Sequence, residues 1–96
     1  MRATGKPDKN AKRLVARWRA AGGKWDYMPP AMGFDGLAAF RGKLHVVEIK
    51  DGDLPPSERE LTANEKAQRA AFEARGVAYR IWCCENDILQ MIAEEP

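Results

Sequence analysis

The stretch FDGLAAFRGKLHVVEIK, residues 34–50, decides the fold. Two apolar-rich runs, Phe34 to Phe40 and Leu44 to Lys50, flank Arg41-Gly42-Lys43, which is turn chemistry. The pattern predicts a β-hairpin. Side chains alternate across a strand, so Leu44, Val46, Glu48 and Lys50 share one face, while His45, Val47 and Ile49 share the other. A turn centred on Arg41-Gly42 sets Leu37 opposite Val46 and Asp35 opposite Glu48. One face of the hairpin then runs from Leu37, Ala39, Leu44 and Val46 into Asp35, Glu48 and Lys50. Opposed like charges destabilise a sheet, and neighbouring carboxylates resist joint ionisation. A divalent cation offsets both effects, and Mg2+ in particular takes one or two carboxylates with water and substrate phosphates. Lys50 on the same face would hold an attacking water or stabilise charge in the transition state. At a solvated strand end the same residues would form only a weak surface ion pair, and spacing by itself leaves both readings open.

Outward from the hairpin, residues 11–21 place Leu14, Val15 and Trp18 at helical spacing, with Ala11 and Ala21 extending that face. Asp8 or Asn10 is a candidate cap for this helix, and Gly22-Gly23 is its stop. Lys24 to Met28 alternates weakly as an edge strand ended by Pro29-Pro30. After the hairpin comes a polar loop with Pro55-Pro56, then a helix over 62–75 stopped by Gly76. A strand follows over 77–83, rich in β-branched and aromatic residues, and a short helix from Asn86 or Asp87 to about Ala93. The predicted fold is α/β, a small mixed sheet of about four strands flanked by helices.

The chain has 96 residues, which suits one domain over 1–96 with residues 1–9 as a flexible basic arm. Its net charge of +2 is unevenly spread. Residues 1–24 hold eight basic residues against Asp8 alone, a balance of +7, which leaves −5 for the remainder. A basic end on an acidic body suits a polyanion such as DNA, with Lys9, Lys12, Arg13, Arg17 and Arg19 as the candidate phosphate contacts. A solvated basic helix without a ligand fits the same residues. No run approaches the roughly 20 apolar residues that span a bilayer, and the basic start has no apolar stretch behind it, so no secretory signal or membrane partner is expected. Cys83 and Cys84 are adjacent, which builds no disulfide framework and suits a cytoplasmic location. They read as core residues, as do Trp18 and Trp82, while Trp25 and Tyr27 beside Lys24 are candidates for exposed stacking. His45 reads as a packing or strand-surface residue.

Gly33-Phe34-Asp35, Glu48-Ile49-Lys50, Asp51-Gly52 with Leu54-Pro55-Pro56-Ser57, and Leu61-Thr62-Ala63-Asn64-Glu65 follow one another in that order. In this the chain resembles the PD-(D/E)xK nuclease superfamily, and within it the compact VRR-NUC type of phages and bacteria, related to Holliday-junction resolvases. The resemblance spans roughly Asn10 to Ile92. It implies a restriction-endonuclease-like core and metal-dependent DNA endonuclease activity on structured, nicked or duplex DNA in a bacterial or phage-infected cytoplasm. It also implies Asp35, Glu48 and the Ile49 carbonyl as ligands of Mg2+ or Mn2+, with Asp35, Glu48 and Lys50 as the catalytic set. The chain departs from the family in three places. Phe34 stands where Pro is usual, Ala11 stands where a first-helix Glu often reaches the metal, and Glu65 replaces a Gln, with Gln68 one turn further on. Glu65 and Gln68 are the candidate accessory residues, although Thr62-Ala63-Asn64-Glu65 also fits a capping box. The absent helix Glu keeps an alternative open, a non-catalytic DNA-binding accessory protein with a nuclease-like fold. A homodimer is a further expectation, since a chain of this length buries only a modest core.

Overall fold

The computed structural model describes residues 9–94. The elements run α1 (Lys9–Ala20), β1 (Lys24–Tyr27), β2 (Gly36–Phe40), β3 (Lys43–Ile49), α2 (Ala63–Glu73), β4 (Tyr79–Trp82) and α3 (Glu85–Glu94). The sheet order is β1-β2-β3-β4, with β1, β2 and β3 antiparallel and β4 parallel to β3. This is the expected α/β architecture, a four-stranded mixed sheet flanked by helices. The expected basic arm lies outside the described residues, except that Lys9 is the first residue of α1.

The hairpin closes through Arg41 (φ 48°) and Gly42 (φ 82°). Two successive positive φ values match the right-handed twist of the flanking strands. The Arg41 guanidinium lies 4.9 Å from the centre of the Phe40 ring. Leu37 pairs with Val46 and Gly36 with Val47, the register expected from the turn. The paired part of β2 starts at Gly36, two residues later than expected. Gly33 is left-handed (φ 78°), and Phe34 turns into the core, 5 % exposed.

Strand alternation divides the core in two. On one face Trp25, Ala38, Phe40, Val47, Ile49 and Trp82 pack against Leu14, Val15 and Trp18 of α1 and Ile88 and Met91 of α3. Trp82 is the hub, with ring centres 5.2 Å from Trp18 and 5.3 Å from Trp25. Burying a large apolar side chain fully contributes about 1.5–3 kcal/mol. On the other face Phe34, Val46 and Tyr79 pack with Leu37, Ile81, Leu61 and Phe72, the last from α2. Gly36 is needed where it is: a Cβ there would lie 2.3 Å from the Trp25 ring.

Three local expectations need correction. Trp25 is 2 % exposed because its strand position faces the α1 side, so only Tyr27 of that pair is available at the surface. Cys84 is exposed and Cys83 half-buried, because β4 ends at Trp82 and the chain bends before α3. Asn10 does not cap α1; the helix already includes it, and its side chain bonds elsewhere.

Candidate active site

Alternation along β3 turns Val47 and Ile49 toward α1 and α3, and turns Val46 and Glu48 toward the α2 layer. Val46 meets apolar partners there. Beyond them, the end of the layer is ionic. The Asp35 N–H donates to the Val47 carbonyl (2.9 Å), although Val47 is already the partner of Gly36, so the chain departs from the hairpin register by one residue at Asp35, as in a β-bulge. Asp35 Oδ2 accepts the Ile49 N–H at 2.7 Å. Asp35 therefore lies against β3 with its carboxyl beside that of Glu48, as expected, but it gets there through this offset and not as the register partner of Glu48. The N–H and C=O of one strand residue point to the same side, so the Ile49 carbonyl also faces Asp35.

Lys50 Nζ reaches two carboxylates, Glu65 Oε1 at 2.8 Å and Glu48 Oε2 at 3.5 Å. Glu65 Oε1 also accepts the Thr62 N–H at 2.8 Å, and the Glu65 N–H donates to Thr62 Oγ1 at 3.2 Å. Glu65 thus does two things at once. It completes a capping box and stands in the charged cluster. Gln68 does something different: it is half-buried and its stem packs against Gly33, where a Cβ would come within 2.5 Å of Gln68 Cγ.

Two carboxylates, Glu48 and Glu65, share one ammonium in a largely buried setting, and a third, Asp35, stands beside Glu48. Burial is the main cause that pushes Glu48 from the ordinary 4.5 up to about 9, with the charges of Asp35 and Glu65 adding to it. Burial also raises Asp35, against the Ile49 N–H bond that lowers it. Glu65 moves the other way. Burial alone would raise it, but the hydrogen bonds from Lys50 and the Thr62 backbone lower it. Lys50 is raised: burial alone would lower it, but its carboxylate partners outweigh that effect. At neutral pH the Asp35–Glu48 pair therefore holds a shared proton. Between 4.5 and about 9 the native chain binds a proton that the unfolded chain has released, so stability is full below that window and falls as pH rises through it. In the absence of divalent ions, the thermal midpoint should drop from pH 5 to pH 9, as the unfolding free energy falls by about 1.4 kcal/mol per pH unit for one proton. A flat profile would mean that Glu48 is not held in this environment.

Tyr79 closes the floor. It is 4 % exposed, its hydroxyl donates to the Gly33 carbonyl at 2.9 Å, and burial and the three carboxylates raise its pKa. Nothing in a tyrosine on a predicted strand flags this role beyond its alternation with Ile81. Tyr79 and Asn10 are the two neighbours that the sequence does not connect with the site.

Among the described residues no group of three His, Cys, Asp or Glu side chains is set out to hold a metal ion. Glu65 Oε1 is engaged by Lys50 and the Thr62 N–H. Asp35, Glu48 and the Ile49 carbonyl, the ligands expected from the resemblance, lie close together at this end of β3. Of the expected phosphate contacts, Arg17 is paired with Glu85 (2.8 Å) and Arg19 donates to the Trp25 carbonyl (3.1 Å). Arg13 is exposed and donates to Asn10 (2.6 Å), and Lys12 is exposed. The Lys9 side chain lies outside the described residues.

No protein-family model matches the chain, and neither does any curated protein or solved structure. The resemblance to PD-(D/E)xK nucleases rests on motif order. No helix among the described residues is long and apolar enough to cross a membrane.

Proposed function

We propose that the chain is a Mg2+- or Mn2+-dependent endonuclease that hydrolyses phosphodiester bonds in structured, nicked or duplex DNA. One observation carries this: Glu48, 5 % exposed, is held beside Asp35 and near Glu65, with the Lys50 ammonium paired to Glu48 and Glu65. A buried cluster with surplus negative charge is costly unless it is protonated or bound to a cation. Asp35 and Glu48 would hold the ion, with the Ile49 carbonyl on the same side. When bound, the metal polarises the phosphate and lowers the pKa of a coordinated water. The Ile49 N–H fixes the orientation of the Asp35 carboxylate. Glu65 holds Lys50 Nζ on the site side of β3, where the ammonium stabilises the charge that develops on the phosphate.

Nicking of supercoiled plasmid with Mg2+ or Mn2+, and its loss in EDTA, tests the proposal. Binding of DNA without cutting under every divalent ion would leave the non-catalytic accessory function in its place. DNA affinity should fall steeply with salt. Changing Lys12 and Arg13 to Gln should flatten that slope by about one unit for each phosphate that is no longer neutralised. Arg17→Gln should change it less, because Arg17 is already neutralised by Glu85. An unchanged slope in the Lys12/Arg13 variant would place DNA on another surface. The other proposed partner is a second copy of the chain, and light scattering gives its mass directly.

A further inference from the structure

Asn10 lies in the first turn of α1, half-buried, and its amide is used at both ends. Nδ2 donates to the Lys50 carbonyl at 2.9 Å and to the Cys83 carbonyl at 3.4 Å. Those carbonyls lie just past the ends of two adjacent parallel strands, β3 and β4. Oδ1 accepts from the Arg13 guanidinium at 2.6 Å. The Lys50 N–H donates to the Trp82 carbonyl at 2.9 Å, so the main chain of Lys50 is held by β4 at its N–H and by Asn10 at its carbonyl. The same corner requires Gly52, where a Cβ would lie 2.5 Å from the Cys83 carbonyl oxygen. Only an amide meets these demands. A carboxylate would set an oxygen against two carbonyls, and a methyl or hydroxymethyl group is too short to span them.

We infer that Asn10 is a positioning residue, linking Arg13 on the exposed face of α1 to the backbone of Lys50 through one chain of hydrogen bonds. The cleavage part of this inference rests on the proposed nuclease function. Lys50 is the last residue before the polar loop, and without Asn10 its carbonyl loses its anchor there. A displacement of about 1 Å in a reacting group can cost about 10²-fold in rate. A phosphate drawn to Arg13 would be registered against Lys50 by this link, so docking and chemistry share one frame of reference.

Asn10→Ala removes both halves of the link, and Asn10→Asp keeps an acceptor for Arg13 while losing the donors to Lys50 and Cys83. With Ca2+ as a non-cleaving ion, both variants should bind a duplex within about fivefold of the unaltered chain, since only an exposed interaction is loosened. At saturating DNA with Mg2+, single-turnover cleavage should fall by about 10–100-fold in both. A purely structural role would lower the thermal midpoint and leave the rate of the folded fraction unchanged. A second readout does not need cleavage. In two-dimensional NMR with Ca2+, the duplex should shift the Arg13 guanidinium, the Asn10 side-chain amide and the Lys50 and Cys83 backbone amides of the unaltered chain. In Asn10→Ala the Lys50 and Cys83 shifts should vanish. Wild-type cleavage rates at saturation in both variants would overturn the inference. So would duplex-induced shifts that omit the Asn10 amide, a measurement that needs no variant. If no divalent ion supports cutting, the nuclease function fails and the NMR comparison alone decides the link.

Discussion

Lys50→Met should lower single-turnover cleavage by about 10²–10³-fold while leaving DNA affinity nearly unchanged. The magnitude is that of one donor removed from a preorganised site, about 3–4 kcal/mol. Methionine keeps the length of the stem and removes the charge. Lys50 is only 16 % exposed along its side chain and points at Glu65 and Glu48, so it adds little to the surface that holds a duplex. The substitution also leaves Asp35, Glu48 and Glu65 without their cation, and stability should fall at neutral pH. The Thr62–Glu65 capping box survives, which keeps the start of α2 in place. Adding Glu65→Gln to Lys50→Met separates the two effects. Gln still accepts the Thr62 N–H, removes one negative charge and should restore part of the stability, yet cleavage should stay low. Recovery of cleavage along with stability would make Lys50 a structural counter-charge. Equal loss of binding and cleavage in Lys50→Met would make it a docking residue.

Glu48→Gln should have opposite effects on stability and on activity. In metal-free buffer at pH 8 the native chain carries an anomalously held proton at Glu48, because the carboxyl titrates near 9 when folded and near 4.5 when unfolded. Glutamine removes that difference. The variant should be more stable than the unaltered chain at pH 8, should lose the advantage toward pH 5, and should show little slope between them. In the unaltered chain Mn2+ must displace the shared proton, so binding should release close to one proton and should stabilise the fold. Calorimetry in two buffers of different ionisation heat measures that release, and Glu48→Gln should abolish it. Cleavage should drop by orders of magnitude, and excess Mn2+ should recover part of it through Asp35 and the Ile49 carbonyl. An unaltered pH slope in the variant, or no stabilisation of the unaltered chain by Mn2+, would sink the assignment of Glu48 as a ligand.

The hairpin and its charges were legible in the residues because their causes are local. Arg41-Gly42 selects the turn, the turn sets the register, and a period of two then places Glu48 and Lys50 on one face, with Asp35 brought beside Glu48 after a one-residue offset. The observed Leu37–Val46 pair follows that chain of causes step by step. The capping box at Thr62 was readable for the same reason, since its partners lie three residues apart. Trp18 and Trp82 were recognisable as core residues by the apolar run around each, and both are fully buried.

What the residues could not say was which elements meet. Glu65 pairs with Lys50 because α2 packs over Val46 and Tyr79, and that packing depends on Phe34, Leu61 and Phe72 burying a common surface. Asn10 reads as a helix cap from its neighbours alone. It reaches Lys50 because α1 lies across the far face of the sheet, 40 residues away in sequence. Tyr79 closes the site floor because β4 joins β3 in parallel, which requires the intervening α2 crossover. Local neighbours were enough to fix the strands, the turn, the α2 capping box and one charged face, since each depends on residues close in sequence. Only the packing of the whole chain brings Glu48 and Glu65 to one ammonium and an asparagine to its backbone, because burial is a property of the whole core and has no local signature.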